Sequence, residues 1–470
     1  IECETETTHC FYELDADCRR VANALKDLGL KEGDIFGVLG ENSYEYLVLY
    51  MAGIIAGAVV YGISSTESFQ NVSNKIIQQN IKLIAISYNC ISYAERISDG
   101  IPITQTIIVF NGGKKTNDKY RLYQDLLDSY QFEPFNDEMI AIPHDPKQTE
   151  CLILSSSGCV SGCPKSVVYS HHSVVSALEM TSYPQYMGYT QTEVVSSHCE
   201  FAHQMSIFQI FTAISTGSKI VLMPRFEIKQ FIHYVKKYKI SAALLNPSAI
   251  VSLVKAPDES ADIPSLIKII SCGSVLPKTI AKQFIARYKH VKDLRQALFD
   301  TRCMAPITLL AKSAFAYESA GVAFPDTKIM VKALGNGDQL SANQIGEICV
   351  HKDFGFCRRY LNIRDAPEGL VDSGGWLHTG DLGYYDEDRH LYAIGSLDEM
   401  IKSNNVLIAP SELEIPLLGH SAVSEAAVIA VPDDESGQTA VGFVVLKEEI
   451  DVQLMNSFTG DNIMNTINSK

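Results

Sequence analysis

The segment IFGVLGENSYEYLVLYMAGIIAGAVVYGI, residues 35–63, decides the fold class. A short apolar run at each end encloses a longer run of helical character that begins at Ser43. Apolar runs without period-two alternation are typical of strands buried on both faces of a parallel sheet. The stretch from Leu47 to Ile63 is uncharged and approaches the ~18 residues of a membrane span. Its three glycines instead favour a buried helix, a turn and a strand, so the segment predicts a strand–helix–strand unit.

The same alternation continues along the chain. Before this segment, apolar residues at helical spacing between Asp15 and Leu28 predict an amphipathic helix. After it, the strand-like runs are KLIAIS, TIIVF, CLILS, KIVLM, SAALLN and IKIISCG. Beyond about residue 325 the pattern changes to hairpin-like segments rich in turn residues, and a strand–loop–strand pattern follows near the end. The sequence therefore predicts an α/β fold, with a large doubly wound domain, a β-rich subdomain and a small α+β domain.

The composition limits the classes of function. The chain has 470 residues, of which 46% are hydrophobic, so it can bury a large core and disorder is excluded as the main state. Lysine and arginine sum to 39 against 55 acidic residues, and a net charge of −16 disfavours a nucleic-acid or anionic membrane partner. The 12 cysteines show no paired zinc spacing, so we expect reduced thiols in an intracellular protein and no metal site.

The segment SSSGCVSGCPKSVVYSHH, Ser155–His172, is the first candidate site. A loop of small residues that ends in Pro-Lys is suited to holding a phosphate. A phosphate-binding loop of the common NTPase kind needs glycine directly before Lys165, where this chain has Pro164. Two interpretations of the segment alone remain: a phosphate-binding loop, or a flexible turn between a strand and a helix.

The segment GGWLHTGDLGYYDEDRHLYAIG, Gly374–Gly395, is longer and more specific. It resembles the Gly-Trp-x-x-Thr/Ser-Gly-Asp segment of the adenylate-forming enzymes, the superfamily of acyl-CoA synthetases, 4-coumarate–CoA ligases and insect luciferases. GEICV precedes it at the family's spacing, and IKSNNVLIAPSELE and VPDDESGQTAVGFVVL follow it. Earlier segments, from GVLGENSYEYL to IISCGSVLPK, keep the family's order. The resemblance therefore covers nearly the whole chain.

The resemblance implies a two-step reaction. In this family, ATP and a carboxylic acid form an acyl-adenylate and pyrophosphate, and a thiol, usually that of coenzyme A, then takes the acyl group. ATP, Mg²⁺ and coenzyme A are the implied cofactors, and a fatty or aryl acid is the implied substrate. The implied domains are a large AMP-binding domain, 1–394, and a truncated C-terminal domain, 395–470. Asp381 is assigned to the ribose, because a carboxylate accepts two hydrogen bonds from a diol; the alternative is a loop cap after Gly380.

In the opening loop, the resemblance implies contacts with the phosphates of the nucleotide. The family pattern S-S-G-[ST]-[ST]-G-x-P-K-G assigns nucleotide binding to Ser157, Gly158, Gly162 and Lys165, and a catalytic role to Lys165. This chain has one more residue between the two glycines, and Ser166 replaces the last glycine. Because loop hydroxyls and amides contact phosphate through a fixed geometry, the insertion is expected to displace several donors.

The segment LRQALFDTRCMAP aligns with the family's Y-G-x-T-E. The resemblance gives Thr301 a catalytic and nucleotide-binding role at the α-phosphate. Arg302 stands where the family has the glutamate that binds Mg²⁺, and Mg²⁺ requires hard oxygen ligands. We therefore expect impaired metal binding at this position.

The hinge before the small domain also departs from the family pattern. Asp-Arg-x-Lys is replaced by residues 395–398, Gly-Ser-Leu-Asp, and glycine there still permits rotation. In the K-x-K-G segment, Lys402 is kept as a predicted catalytic residue, whereas the second lysine is replaced by Asn404.

Family position places the acyl pocket in EFAHQMS, NPSAIV, SCGSV and ALFDT. The resemblance assigns His203, Gly273 and Leu298 to this pocket, and Gly273 also to the backbone that flanks the adenine. The alternative for His203 is a buried imidazole with satisfied hydrogen bonds in the core.

Two functions remain open. The first is an ATP-dependent acyl-CoA synthetase with impaired activity, which we favour because the departures fall on polar groups of the site. The alternative is a catalytically inactive relative that binds an acyl ligand or a nucleotide. The last two residues, Ser469 and Lys470, stop one residue short of a peroxisomal Ser-Lys-Leu ending, so we expect an intracellular protein in the cytoplasm or the peroxisome.

Overall fold

The fold is that of a computed structural model. It describes residues 1–102, 104, 106–112, 119–130, 140–155, 166–181, 183, 186, 188–257, 262–311, 319–353, 355–361, 371–403, 406–418, 423–433 and 437–446.

The α-helices of the described residues are separated from one another by strands. They are α1 (Phe11–Asp27), α2 (Tyr44–Ile55), α3 (Phe69–Gln78), α4 (Ile91–Gly100), α5 (Tyr123–Ser129), α6 (His171–Thr181), α7 (Gln204–Ser215), α8 (Ile228–Tyr238), α9 (Pro247–Lys255), α10 (Lys278–Arg287) and α11 (Pro410–Leu418). A short 3₁₀ helix covers Tyr88–Cys90.

The strands mostly alternate with these helices up to residue 298, and after it only α11 interrupts the strands among the described residues. They are β1 (Ile35–Leu39), β2 (Val59–Ile63), β3 (Leu83–Ser87), β4 (Thr106–Phe110), β5 (Tyr120–Leu122), β6 (Glu150–Ser155), β7 (Ser166–Ser170), β8 (Val194–Ser197), β9 (Lys219–Leu222), β10 (Ala242–Leu245), β11 (Lys268–Ser271), β12 (Asp293–Leu298), β13 (Thr308–Leu309), β14 (Val322–Ala323), β15 (Thr327–Lys332), β16 (Gly346–Lys352), β17 (Arg359–Tyr360), β18 (Leu377–Tyr385), β19 (Leu391–Ser396), β20 (Ile401–Ser403), β21 (Val406–Ile408), β22 (Val423–Asp433) and β23 (Gly437–Leu446).

Two large sheets form the body of the molecule. The first has the order β17-β7-β6-β2-β1-β3-β4-β5 and the second β14-β13-β12-β11-β10-β8-β9. Neighbouring strands are parallel from β6 to β5 in the first sheet and from β12 to β9 in the second, and antiparallel strands complete one edge of each. The predicted α/β class is therefore confirmed, with an antiparallel edge that the apolar runs did not predict.

The segment that decides the fold class forms β1, α2 and β2, and it is almost entirely buried. The Ser43 hydroxyl accepts a hydrogen bond from the amide of Tyr46 and so caps α2 at its start. The stretch from Leu47 to Ile63 is a helix, a turn and a strand, as predicted. In the part of the chain that the structure describes, no helix is long and apolar enough to cross a membrane.

Helix α1 confirms the predicted amphipathic helix but begins four residues earlier, at Phe11 rather than Asp15. The amide of Cys10 donates a hydrogen bond to the Glu13 carboxylate over 2.7 Å, which satisfies an amide at the start of the helix. Apolar residues of α1, such as Val21 and Leu25, are buried against the core.

Each large sheet is covered on both faces. The largest core cluster lies between the sheets, because it contains Val38 and Val60 from the first sheet and Leu244 and Ile270 from the second. Two further clusters lie on the outer faces, one with α3 and α4 against the first sheet and one with α8, α9 and α10 against the second. Burial on both faces explains why the strands are continuous apolar runs.

Two smaller antiparallel sheets follow. The strands β15-β16-β18-β19 form the β-rich subdomain, and β21-β20-β23-β22 form a sheet near the end of the described chain. The predicted strand–loop–strand pattern is the long pair β22 and β23.

The helix expected directly after the opening loop is not found there, whereas the loop itself lies outside the described residues. The segment after it is not a helix but the strand β7, which pairs antiparallel with β6, so that Ser155 lies opposite Ser166. The helix α6 begins only at His171, after five more residues of strand. The β-branched residues Val167 and Val168 favour a strand here.

Candidate active site

Several of the predicted site residues lie at the carboxyl edge of the second sheet. The parallel strands β8, β10, β11 and β12 end at the same edge, and the residues that follow them include His203, Asn246, Gly273 and Thr301. In open α/β sheets, ligands bind in the crevice outside the carboxyl ends of the strands. The topology therefore gathers four segments that are up to about a hundred residues apart in the chain.

Gly273 lies in a bend directly after β11, and its backbone requires glycine. Its φ of +95° is in the left-handed region, which side chains with a Cβ rarely adopt. A Cβ built on Gly273 would lie 3.7 Å from the Met205 Cε atom and 4.0 Å from the Asn246 Cβ atom. Three segments that the sequence assigned to the acyl pocket therefore meet at this glycine.

The start of α7 is held against the loop that follows β12. The Gln204 amide group donates hydrogen bonds to the carbonyl oxygens of Cys303 and of Met304, the latter over 3.3 Å. The rings of Phe208 and Phe299 pack edge to face with their centroids 5.6 Å apart. These contacts join the segment of His203 to the segment of Thr301.

His203 is not a buried core imidazole, so that alternative is wrong. Its side chain is 44% exposed, and its Nε2 atom lies 3.9 Å from a carboxylate oxygen of Glu200. Glu200 in turn accepts hydrogen bonds from the hydroxyls of Ser64 and Ser65. Leu298, the last residue of β12, packs against the central core cluster. His203 is therefore accessible at the carboxyl edge, whereas Leu298 is partly buried below it.

The Arg302 guanidinium donates hydrogen bonds to several groups of its own chain. Its Nε atom donates to Asp300 Oδ1 over 2.8 Å, and its Nη2 atom donates to the other oxygen of Asp300. The same guanidinium donates to the carbonyl oxygens of His378, over 2.9 Å, and Thr379, over 2.7 Å. Burial lowers the pKa of Arg302, but the hydrogen bond and the charge of Asp300 outweigh it and raise that pKa above its ordinary value. Arg302 thus joins the loop after β12 to strand β18.

Strand β18 presents Asp381 beside this cluster. The Thr379 hydroxyl donates to the carbonyl of Ile348 over 2.7 Å and accepts the amide of Asp381 over 3.0 Å. The amide of Gly380 donates to Glu347 over 3.2 Å, and the φ of Gly380 is +76°. The turn before the carboxylate is therefore held by backbone and side-chain hydrogen bonds, which favours a positioned group over a simple loop cap.

The carboxyl group of Asp381 is less acidic than usual. Burial, followed by the negative charge of Asp300, raises the pKa of Asp381 to about 7, and Arg302 opposes this rise. Near neutral pH the group therefore exists in both protonation states. Only the ionised form offers two acceptor oxygens to a diol.

The hydroxyl of Thr301 and the amino group of Lys402 differ in their surroundings. Thr301 lies in the turn beside Arg302, and its hydroxyl has no hydrogen-bond partner among the described residues. Lys402 is exposed on β20, where its backbone amide donates to Gln438 over 2.7 Å. Within the described ranges, no contact brings the Lys402 side chain to Asp381 or Arg302.

The hinge segment continues directly from the site. Ser396, the last residue of β19, is the cross-strand partner of Asp381. A Cβ built on Gly395 would lie 2.9 Å from the Met400 Cε atom, so glycine allows a close approach of the chain at this point. Met400 is buried in a small cluster with Leu382, which links the chain after the hinge to β18.

The other predicted phosphate contacts, Ser157, Gly158, Gly162 and Lys165, lie outside the described residues, as does Asn404. Their predicted roles remain predictions.

The two strands that flank the opening loop are joined by a buried polar network. The Tyr61 hydroxyl lies 2.6 Å from the Ser166 hydroxyl, which lies 3.2 Å from the Ser155 hydroxyl. The Lys75 amino group donates to Ser155 over 3.3 Å and pairs with a Glu67 oxygen at 2.5 Å. Ser166, which replaces the glycine of the family pattern, is therefore part of a hydrogen-bond network that joins β6 and β7 to β2.

Sequence reasoning missed four polar residues of this region. Asp300 stands two residues before Arg302, and that spacing of opposite charges was the available signal. Glu200 precedes His203 by three residues, whereas Glu67 and Lys75 are eight residues apart on a loop and a helix. No local pattern marks the last pair, because its partners on β6 and β7 are distant in the chain.

Comparisons with known proteins identify the family of the chain. The family described as AMP-binding enzyme matches residues 2–361, and the family described as AMP-binding enzyme C-terminal domain matches residues 412–469. The luciferin 4-monooxygenase of Photinus pyralis is 28% identical over 437 residues, which are 91% of this chain and 78% of that protein. A 4-coumarate–CoA ligase of Humulus lupulus is 26% identical over 449 residues, which are 93% of this chain and 79% of that protein.

Solved structures show the same fold. An anthranilate CoA ligase in complex with anthranoyl-AMP has a TM-score of 0.86 at 19% identity, over 98% of this chain and 85% of that chain. A benzoate CoA ligase of Burkholderia xenovorans has a TM-score of 0.84 at 18% identity, over 100% of this chain and 89% of that chain. The match to the AMP-binding enzyme family covers more than half of the chain. The chain therefore belongs to the AMP-binding enzyme family, the adenylate-forming superfamily that the motifs indicated.

Proposed function

We propose that the chain is an ATP-dependent acyl-CoA synthetase-like protein with impaired formation of the acyl-adenylate. One observation carries the proposal. By the motif alignment Arg302 stands where the family has its metal-binding glutamate, and in the structure Asp300 and two carbonyl oxygens hold its guanidinium beside Asp381. The groups that would hold the nucleoside are therefore held in place, whereas Arg302 and Asp300 form an internal ion pair at the position expected for the metal.

The nucleoside part of the proposal rests on Asp381 and Gly273. The Asp381 carboxylate, held after the turn at Gly380, would accept hydrogen bonds from the two ribose hydroxyls. Gly273 presents backbone at the carboxyl edge of the sheet, where an adenine would be flanked. His203 and Leu298 would shape an acyl pocket for a fatty or aryl carboxylic acid in the same crevice.

The residues at the metal position do not fit Mg²⁺. A guanidinium offers five N–H donors and no lone pair, and Mg²⁺ requires oxygen ligands in a near-octahedral arrangement. The Asp300 oxygens already accept hydrogen bonds from Arg302. Mg²⁺ at this position would therefore face a fixed positive charge.

The remaining groups account for what the site would still do. The Thr301 hydroxyl would hydrogen-bond the α-phosphate, Lys165 would supply positive charge from the opening loop, and Lys402 would act in the thioester step with coenzyme A. Loss of one such transition-state contact costs ~2–4 kcal/mol, so loss of the metal contact alone would reduce turnover by roughly 1.5 to 3 powers of ten. We also propose that these groups are divided between a large domain, 1–394, and a small domain, 395–470. A cytoplasmic or peroxisomal location stays a prediction.

Pyrophosphate release tests the proposal. The purified chain is incubated with ATP, Mg²⁺, coenzyme A and a panel of fatty and aryl acids, and pyrophosphate and AMP are measured. We expect slow, acid-dependent release that disappears in Asp381→Ala and persists in Asp388→Ala. Asp388 is the matched control because it is an exposed aspartate in the turn after β18. Rapid turnover at rates normal for enzymes would contradict the impairment.

The second candidate is a catalytically inactive relative that binds nucleotide. The hydrogen bonds of the Arg302 guanidinium to Asp300 and to two carbonyl oxygens favour this candidate too. Thermal unfolding with added nucleotide separates the two, because a ligand that binds the folded state raises the melting temperature. Stabilisation by AMP without any pyrophosphate release would favour the inactive binder. No stabilisation by AMP or MgATP, together with no release, would contradict both candidates.

A further inference from the structure

A second cluster of ionisable side chains lies on β16 and β18, on the far side of the turn at Gly380. Glu347, Cys349 and His378 each offer one ligand atom, and these atoms all lie within 4.8 Å of one another. The His378 Nδ1 atom lies 2.8 Å from a Glu347 carboxylate oxygen and 3.6 Å from the Cys349 sulfur. The arrangement combines an imidazole, a thiol and a carboxylate, which are the three ligand types that proteins use for zinc.

The strand register explains why these side chains meet. Cys349 is the cross-strand partner of His378. Glu347 is two residues before Cys349 on β16, so the side chains of Glu347 and Cys349 point to the same face of the sheet. A bulge between Glu347 and Cys349 shifts the register of β18 at this point. The three residues are therefore gathered by the sheet, which is why no spacing of cysteines or histidines in the chain indicated a metal set.

The distances approach those of a tetrahedral site. With Zn–S of ~2.3 Å and Zn–N of ~2.0 Å, a sulfur and a nitrogen ligand are separated by about 3.5 Å, close to the 3.6 Å between Cys349 and His378. The contact between His378 and Glu347 is at hydrogen-bond length and has to open by about half an ångström to admit an ion.

The other nitrogen of His378 faces a carboxylate. The His378 Nε2 atom lies 3.4 Å from Asp372 Oδ2, and Asp372 is itself paired with Lys332 at 2.8 Å. A metal-bound histidine commonly donates its second N–H to a carboxylate, which fixes the orientation of the ring. The His378 side chain is 41% exposed whereas Cys349 is buried, so an ion would enter from the imidazole side.

We propose that Glu347, Cys349 and His378 bind one zinc ion, with Asp372 orienting the histidine and water as the remaining ligand. None of the three ligands is a predicted nucleotide or acyl contact, although Arg302 donates a hydrogen bond to the His378 carbonyl, and the proposal does not depend on the proposed function.

Cobalt(II) is the probe for the test, because a thiolate bound to cobalt gives a charge-transfer absorption that other cobalt ligands do not give. The chain is stripped with a chelator and titrated with Co²⁺, and Zn²⁺ is then added to displace it. We expect a thiolate–cobalt band that saturates at one equivalent in the unmodified chain and in Cys151→Ala. Cys151 is the matched control, since it is a buried free cysteine in β6.

The ligand variants give the contrasting arm. Cys349→Ala is expected to lose the band, and His378→Gln to weaken Zn²⁺ binding. Asp372→Asn is expected to weaken Zn²⁺ binding by roughly 10- to 100-fold, the usual effect of removing a carboxylate that orients a metal-bound histidine. Circular dichroism confirms that each variant is folded. Absence of the band in the unmodified chain, or an unchanged band in Cys349→Ala, would overturn the proposal.

Discussion

The loop Asp300–Arg302 and the turn Thr379–Asp381 face each other across the candidate site, and they serve opposite purposes. The turn keeps the family's threonine, glycine and aspartate, and neighbouring strands hold its groups through hydrogen bonds. In the loop, Arg302 stands where the motif has the family's metal ligand, and Asp300 and the turn itself accept its hydrogen bonds. The turn thus keeps the residues expected to bind the ribose, whereas the charge of Arg302 is used within the protein to join the loop to the turn.

The largest effect is expected from removing that charge. Arg302→Ala leaves the partly buried Asp300 without its partner and frees two carbonyl oxygens of β18. Breaking a buried ion pair in this way costs about 3 kcal/mol of the free energy of unfolding, measured by urea denaturation. The double variant Asp300→Ala/Arg302→Ala is the control, because it leaves no unpaired charge and should recover part of the loss. An unchanged midpoint in Arg302→Ala would show that the loop and the turn are not coupled.

The next effect concerns the acidity of the Asp381 carboxyl group. Because the pKa of Asp381 is raised to about 7, its ionised fraction rises steeply between pH 6 and pH 8. If only the carboxylate binds the ribose, AMP affinity should increase by roughly tenfold over this interval, measured by calorimetry. Asp381→Asn should remove the pH dependence. Tighter binding at pH 6 than at pH 8 would contradict this assignment of the carboxylate.

A smaller effect is expected from the backbone of the turn. Gly380→Ala places a Cβ on a residue with a φ of +76°, although no atom lies within 4 Å of that Cβ. The strain alone should lower the free energy of unfolding by about 1 kcal/mol. Gly100→Ala is the matched control, since that glycine also has open space around it and no positive φ. Equal effects of the two substitutions would show that the turn is not strained.

The smallest effect on stability is expected at Lys402. Its side chain is exposed on β20 and has no ion-pair partner among the described residues, so Lys402→Ala should change the free energy of unfolding by less than about 0.5 kcal/mol. If Lys402 acts in the thioester step, the same variant should reduce thioester formation and leave acid-dependent pyrophosphate release intact. Loss of both activities would assign it to the first step instead.

The strands of the two large sheets could be predicted because they are buried on both faces. A continuous apolar run such as that of β1 or β11 has one stable placement, inside a sheet covered by helices. The strand β7 was missed because its five residues follow a loop of small residues and precede a helix directly. Its pairing with β6 depends on the two ends of the loop, which no local pattern displays.

The sequence assigns site roles only where the family motif specifies the residue type, and these roles stay predictions. Asp381, Gly273 and Thr301 stand at positions that the motif specifies, and the topology places their segments at one edge or beside it. The partners of Arg302 could not be predicted, because two of them are backbone carbonyls 76 and 77 residues away. A carbonyl belongs to every residue, so its contacts are decided by the fold and leave no mark in the sequence.

The network of Tyr61, Lys75, Ser155 and Ser166 has a consequence for the evolution of the opening loop. The strands entering and leaving the loop are clamped by side chains that belong to other elements. Insertions or substitutions between residues 156 and 165 can therefore accumulate without unfolding the sheet. Such a clamp reduces the structural constraint on the sequence between residues 156 and 165.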